Sequence, residues 1–189
     1  MKVIPNAREA IKLFSNRRLL EDDASLLESV AVTINDIRKR GDAAVRELSE
    51  KFDGMILKEA RVPAKDFKAA QKQVDAELKE AIQLSAKRIR AFYEHQPKEG
   101  FVWQTDGSLL GQMVRPLERV ACYVPGGQVP LFSTLLMTAV PAQVAGVPEI
   151  AVTIPRNKGG RVAPEVLVAA SEIGIDEVYC LGGPVAIAA

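Results

Sequence analysis

The fold is decided by a stretch that reads VACYVPGG over residues 120–127. It is a run of strand-forming residues that ends in a proline–glycine turn. Similar runs return at residues 150–154 (IAVTI) and 178–181 (VYCL), and the last is followed by Gly182-Gly183. The run at 150–154 is apolar throughout, as is typical of a strand that is covered on both faces. We therefore expect three strands.

Helical patterns connect these strands. The first carries apolar residues at helical spacing, and we expect Ser133 or Thr134 to cap it and Gly146 to end it: Leu135, Leu136, Ala139, Val140 and Val144. The second begins at Pro164 and stops at Gly174. Strands that alternate with helices at this spacing predict a parallel sheet with right-handed crossovers.

The first hundred residues have a different character. They carry 20 Lys/Arg and 17 Asp/Glu, whereas residues 101–189 carry only 5 and 7. Apolar residues recur there at helical spacing, which predicts helices ending near Gly41 and Gly54, with Asp42 as a cap, and a long helix over about 75–96. A further strand is expected over 109–114. The fold class is thus α/β, with a helix-rich N-terminal segment (1–114) followed by an incomplete Rossmann-like parallel sheet with flanking helices (115–189).

Charge and composition exclude several classes of function. Lys plus Arg (25) nearly balances Asp plus Glu (24), so no strong field steers the chain to nucleic acid or to a membrane surface. No apolar run approaches the ~20 residues of a membrane helix. The sequence begins MKVIPNAR and lacks the apolar stretch of a secretion signal, so we expect a cytoplasmic protein.

The chain has few cysteine and histidine residues that could form a disulfide or bind a metal. Cys122 and Cys180 both lie in strand-like runs and are expected to be small buried residues rather than disulfide partners. The single histidine, His95, falls at the end of the long helix and is expected on the surface. With one histidine and no paired cysteines, we predict no metal site and no catalytic residue within these 189 residues.

The two Gly-Gly turns are the candidate ligand-binding features. They follow the first and third strands of the predicted sheet, and ligands of such sheets bind beyond the carboxyl ends of the strands. Glycine lets the backbone approach a ligand closely, but neither turn has the Gly-x-Gly-x-x-Gly pattern of a dinucleotide site. The spacing leaves two interpretations open, a structural turn or a cofactor cradle. Tyr123 likewise either stacks on a cofactor ring or packs in the core.

The second half of the chain resembles the histidinol dehydrogenase family. The likeness is carried by residues 115–127 (RPLERVACYVPGG), 136–137 (LM), 141–147 (PAQVAGV), 174–179 (GIDEVY) and 182–189 (GGPVAIAA). Looser likenesses occur at residues 37–42 (IRKRGD), 52–54 (FDG) and 89–93 (IRAFY). Only the N-terminal part of such an enzyme is present, because family members are more than twice as long.

The resemblance implies an NAD-dependent, zinc-containing enzyme that oxidises L-histidinol to L-histidine through an aldehyde in histidine biosynthesis, and that works as an intertwined homodimer. The zinc ligands and the glutamate–histidine acid/base pair of the family match no position here. NAD contact is implied for Tyr123, Pro125, Gly126 and Gly127. The chain by itself is therefore expected to be inactive.

Two departures from the family pattern keep other interpretations open. Val185 stands where the family has a cofactor-contacting glutamine, and a valine cannot form that hydrogen bond. The segment 128–132 (QVPLF) also differs. A paralogue that oxidises another amino alcohol would explain both, and a non-catalytic nucleotide- or partner-binding module would explain the missing groups. Because the apolar start of a helix at Pro184–Ala189 is unusual at a terminus, we expect the natural reading frame to continue.

Overall fold

A computed structural model describes residues 6–9, 11, 24–54, 57, 59–126, 129–157 and 160–189. The principal helices are α1 (Ala24–Arg40), α2 (Asp42–Asp53), α3 (Ala64–Gln73), α4 (Ala76–Glu94), α5 (Phe132–Val144), α6 (Pro164–Glu172) and α7 (Gly183–Ala188). The strands are β1 (Phe101–Thr105), β2 (Ser108–Gln112), β3 (Arg119–Tyr123), β4 (Glu149–Thr153) and β5 (Val178–Tyr179).

The predicted parallel sheet is confirmed. Its order is β3-β4-β5, and both pairings are parallel. Cys122 lies opposite Val152, which in turn lies opposite Val178. The central strand has the covered character that its sequence predicts, since residues 151–154 are all buried. The carboxyl ends of all three strands therefore meet at one edge, which is where the candidate turns follow.

Helices α5 and α6 cover the sheet and end as predicted. After α5 the N–H of Val147 bonds the carbonyl of Ala142, and after α6 the N–H of Ile175 bonds the carbonyl of Ala170. Gly146 and Gly174 have φ of 85° and 75° at these points, so each helix closes in a Schellman motif that favours glycine.

Two predicted helix caps are wrong. Ser133 and Thr134 do not cap α5, because the helix begins earlier, at Phe132, and the N–H of Thr134 already bonds the backbone carbonyl of Leu131. Asp42 does not cap α2 either. It is the first residue of that helix, and Gly41, whose φ is 56°, takes the cap position without a side-chain bond.

The N-terminal segment is joined to the sheet through its core and its backbone. Residues 60–62 run alongside β5: the N–H of Val62 bonds the carbonyl of Val178, and the N–H of Cys180 bonds the carbonyl of Ala60, at 2.8 and 2.7 Å. One apolar cluster then combines Val62 and residues of α3 and α4 with the buried residues of the sheet and of α5 and α6.

The helix α3 was not predicted, because its residues 64–73 (AKDFKAAQKQ) carry few apolar side chains. The domain boundary between 114 and 115 stays a prediction.

A two-stranded antiparallel ribbon, β1–β2, lies between the two segments in sequence. The sequence predicted its second strand but missed the first. Trp103 pairs with Leu110 on one face, and Val102 lies on the other. All three side chains are at least half exposed, so the ribbon presents apolar surface on both faces.

A polar side chain ties three helices together and provides a test of this packing. The Gln143 amide donates through Nε2 to the Ile173 carbonyl and accepts at Oε1 from Arg90 Nη2, both at 2.6 Å. We expect Gln143→Met to lower the free energy of unfolding by about 1–2 kcal/mol, because it leaves the Ile173 carbonyl and the Arg90 guanidinium without this partner. Urea denaturation measures the change.

A matched control is Gln83→Met. Gln83 also bonds across helices, to Glu172 at 2.8 Å, but this bond is exposed. Its removal should change the free energy of unfolding by less than about 0.5 kcal/mol. Equal losses in the two variants would contradict the assigned role of Gln143.

Candidate functional site

The two Gly-Gly turns converge on one residue, Pro155, in the loop that follows β4. A Cβ built on Gly126 would lie 2.2 Å from Cγ of Pro155, and one built on Gly182 would lie 2.6 Å from its Cβ. Both distances are too short for any side chain, so glycine is needed at both turns for close packing of the loops. Of the two interpretations left open by the sequence, the packing role has direct geometric support.

Tyr123 joins the same two turns. It is the last residue of β3, and its hydroxyl oxygen accepts a hydrogen bond from the N–H of Gly183 at 3.3 Å. Gly183 begins α7 with φ of 56°, a conformation that few other residues adopt easily. The Tyr123 ring is half-buried. The residue is thus held at the carboxyl edge of the sheet, and its ring is not wholly enclosed by the core.

A cavity of about 250 Å³ lies beside the first turn. Pro125 and Gly126 form one wall, and the loop after β4 and the start of α6 form the other. The described residues of its walls are mainly prolines and aliphatic residues, and Glu165 is the charged one among these described residues. A flat apolar group fits this chemistry better than a phosphate, which the Glu165 carboxylate would repel.

The remaining residues that the sequence predicted for the site do not all lie at this cavity. Pro125 and Gly126 line the cavity, whereas Gly127 and Gln128 lie outside the described residues. Val185 does not face this cavity. It is 2% exposed and packs with residues of α1 and α2 and with Leu57 and Leu181. The valine therefore has an evident packing role that a glutamine amide could fill only by burying its polar atoms.

Cys122 and His95 are where the sequence placed them, whereas Cys180, which was also expected to be buried, is partly exposed. Cys122 is buried, and burial raises the pKa of its thiol. Cys180 is half-buried, and burial raises its pKa too, against the opposing effect of Arg156. His95 is exposed at the end of α4 and contacts the Ala91 carbonyl through Nδ1 at 2.7 Å. Within the described residues, no three histidine, cysteine or acidic side chains come together as a metal site would require.

Sequence reasoning missed Pro155. The signal was its position directly after the central strand of the sheet, between the turns that follow the two neighbouring strands.

The described part of the chain also contains no helix with the length and apolar character needed to cross a bilayer.

The chain is similar to known proteins over most of its length. The family model described as histidinol dehydrogenase matches residues 16–189. The chain belongs to the histidinol dehydrogenase family. It is 54% identical over 154 residues to the histidinol dehydrogenase of Deinococcus radiodurans, and 42% identical over 183 residues to that of Thermus thermophilus.

The likeness extends to a solved structure. A crystal structure of histidinol dehydrogenase from Elizabethkingia anophelis matches with a TM-score of 0.79 and 36% identity, over 86% of this chain. The chain spans only part of each histidinol dehydrogenase that it matches. The matched regions cover 82% and 97% of this chain but 35% and 43% of the Deinococcus and Thermus proteins, and 38% of the crystallised chain.

The packing of the Gly126 turn on Pro155 can be tested with a double-mutant cycle. We expect Gly126→Ala to lower the free energy of unfolding by about 1–3 kcal/mol, because its methyl group meets the Pro155 ring. In a Pro155→Ala background, which removes Cγ and Cδ, the same substitution should cost at least about 0.5 kcal/mol less. Denaturant unfolding of the four proteins measures this coupling, and strictly additive effects would contradict the contact.

Proposed function

We propose that this chain is the cofactor-side, N-terminal part of an NAD-dependent, zinc-containing histidinol dehydrogenase. The full-length enzyme would oxidise L-histidinol to L-histidine through histidinaldehyde, as a step of histidine biosynthesis. The observation that carries the proposal is the contact between Tyr123 and Gly183, which lies at the same carboxyl edge of the parallel sheet as the cavity lined by Pro125 and Gly126. This is the edge at which sheets of this class bind cofactors.

The residues at this edge fit a cofactor ring. We assign NAD contact to Tyr123, Pro125, Gly126 and Gly127, and the described ones among them provide an aromatic face and an exposed turn beside an apolar cavity. Because the Tyr123 oxygen accepts the Gly183 N–H, its own proton stays available for donation to a ligand. The chemistry that NAD supplies when bound is the acceptance of a hydride. The role of this chain is to hold and orient the ring.

The described residues do not fit zinc. No group of three suitable ligands occurs among them, and the Nδ1 of their single histidine already faces a backbone carbonyl. We therefore assign the zinc ligands and the acid/base groups to residues outside this chain.

The assembly and location of the enzyme are part of the proposal. A cytoplasmic homodimer without nucleic-acid or membrane partners is supported by the balanced charge of the chain and by the family. The apolar β1–β2 ribbon also supports association, since exposed apolar patches mark interaction surfaces. Its most exposed apolar residues are Val102 and Leu109, at 74% and 70%.

NAD contact by Tyr123 has a direct test. Replacing the ring by a smaller aliphatic group, in Tyr123→Leu, should weaken NAD binding roughly fivefold or more, because aromatic stacking contributes about 1 kcal/mol. Tyr123→Phe keeps the ring and should retain most of the affinity. Calorimetric titration of NAD into the purified chain and its variants measures both, with thermal unfolding as the check on folding. If NAD binds the chain and both variants equally, Tyr123 lies outside the cofactor site.

The missing chemistry gives a second test. The purified 189-residue chain, supplied with L-histidinol, NAD and zinc, should form no NADH above the buffer control, because it lacks the acid/base and metal groups. The full-length histidinol dehydrogenase of Thermus thermophilus serves as the positive control. A zinc-dependent rate of NADH formation from this chain would refute the proposal that the zinc ligands and the acid/base groups lie outside it.

A further inference from the structure

A second cavity of about 250 Å³ lies at the same edge of the sheet, on the β5 side of the loop that follows β4. It shares Asn157 and Pro164 with the cavity beside Gly126, so the two are neighbours. Their walls differ in chemistry. The second cavity, here called the arginine pocket, is lined by Arg61, Arg156 and Arg161 among others.

The three arginines come from two segments that are distant in sequence. Arg61 lies on the segment that runs beside β5 and forms a backbone bridge with Tyr179. Arg156 and Arg161 lie in the connection between β4 and α6. The fold, rather than sequence proximity alone, therefore brings these arginines to one cavity. Buried Val62 and Leu167 line the same cavity and give it an apolar part.

Hydrogen bonds connect Asn157, which directly follows Arg156, with Gly160 and Arg161. The N–H of Asn157 bonds the carbonyl of Arg161 at 2.9 Å, and the N–H of Arg161 bonds Oδ1 of Asn157 at 3.1 Å. The N–H of Gly160 also bonds the Asn157 carbonyl, at 2.9 Å. These bonds hold the backbone of Arg161 next to that of Asn157, and backbone that is ordered before a ligand arrives reduces the entropic cost of binding.

Two of the three arginines are not paired with the carboxylates of the pocket at short range. Glu59 and Asp66 also line it, yet neither forms an ion pair within 4.0 Å with Arg61 or Arg161. Arg61 and Arg161 likewise form no ion pair with a described residue. Arginine clusters of this kind recognise phosphate groups, because the planar guanidinium donates paired hydrogen bonds to phosphate oxygens.

We propose that the arginine pocket binds the phosphate group of a small molecule. The oxygens would be held by Arg61, Arg156 and Arg161, and the apolar part would contact the remainder of the ligand. The phosphate could belong to a separate phosphorylated metabolite or to the diphosphate of a dinucleotide whose ring lies in the neighbouring cavity. The shared chemistry is a phosphate group in contact with three guanidinium groups.

The test uses pyrophosphate as the probe, titrated into the isotope-labelled 189-residue chain above pH about 7 at constant ionic strength. Amide NMR signals of Gly160, Val162 and Cys180 should shift in a saturable way. In an Arg61→Gln/Arg161→Gln double variant the Kd should rise roughly tenfold or more, because charge-assisted hydrogen bonds are lost. Both substituted residues are exposed, so folding should be preserved.

The matched control is Arg88→Gln/Arg115→Gln, which removes the same charge from exposed positions outside the pocket. It should leave the Kd within about twofold of that of the unsubstituted chain. Shifts that fail to saturate, or equal weakening in both double variants, would overturn the proposal, because either result means that pyrophosphate senses only the general charge of the chain.

A competition arm identifies the source of the phosphate. If saturating NAD displaces pyrophosphate, the pocket takes the diphosphate of the dinucleotide. If the two bind together, it takes a separate phosphorylated ligand. Both outcomes support a phosphate pocket. The pocket lies outside the cavity lined by Pro125 and Gly126, so a failure of pyrophosphate to bind leaves the Tyr123 assignment to be judged by its own variants.

Discussion

The parallel pairing of β4 with both of its neighbours is the constraint on which the rest of the structure depends. Its ladder continues past the regular strands, since the N–H of Val124 bonds the carbonyl of Thr153 and the N–H of Ile154 bonds the carbonyl of Tyr179. These two bonds fix where the chain leaves β3, β4 and β5. Pro155 must then lie between the turns after β3 and β5, and only residues without a Cβ allow both turns to approach it.

The same sheet organises the N-terminal segment. A three-stranded sheet alone would leave β5 with an open edge, and the backbone of residues 60–62 occupies that edge in antiparallel orientation. Helices α3 and α4 then pack on α6 and α5, and their apolar residues, with Ile82 fully buried, join the core of the sheet. The charged first half is therefore not independent of the apolar second half in this structure, because their buried side chains form one cluster.

The sequence predicted those features that depend on local pattern. Strand runs, the glycine ends of α5 and α6, and the position of Tyr123 beside the first turn all follow from residues that lie close together in the chain. Prediction from the sequence failed where backbone groups or residues distant in the chain determine the structure. The caps at Ser133, Thr134 and Asp42 were wrong because backbone geometry alone starts those helices. Helix α3 was missed because its face is completed only by contact with α6, which is distant in sequence.

The arginine pocket was missed for a related reason, although a compositional signal existed. Three of the five Lys/Arg of residues 101–189 fall within residues 156–161, directly after the central strand. Arg61, which completes the set, is nearly a hundred residues earlier, and only its pairing beside β5 brings it there. The carboxyl edge thus carries an apolar cavity next to Gly126 and a cationic one on the far side of Asn157 and Pro164. A dinucleotide needs surfaces of both kinds, an apolar one for a ring and a cationic one for phosphates.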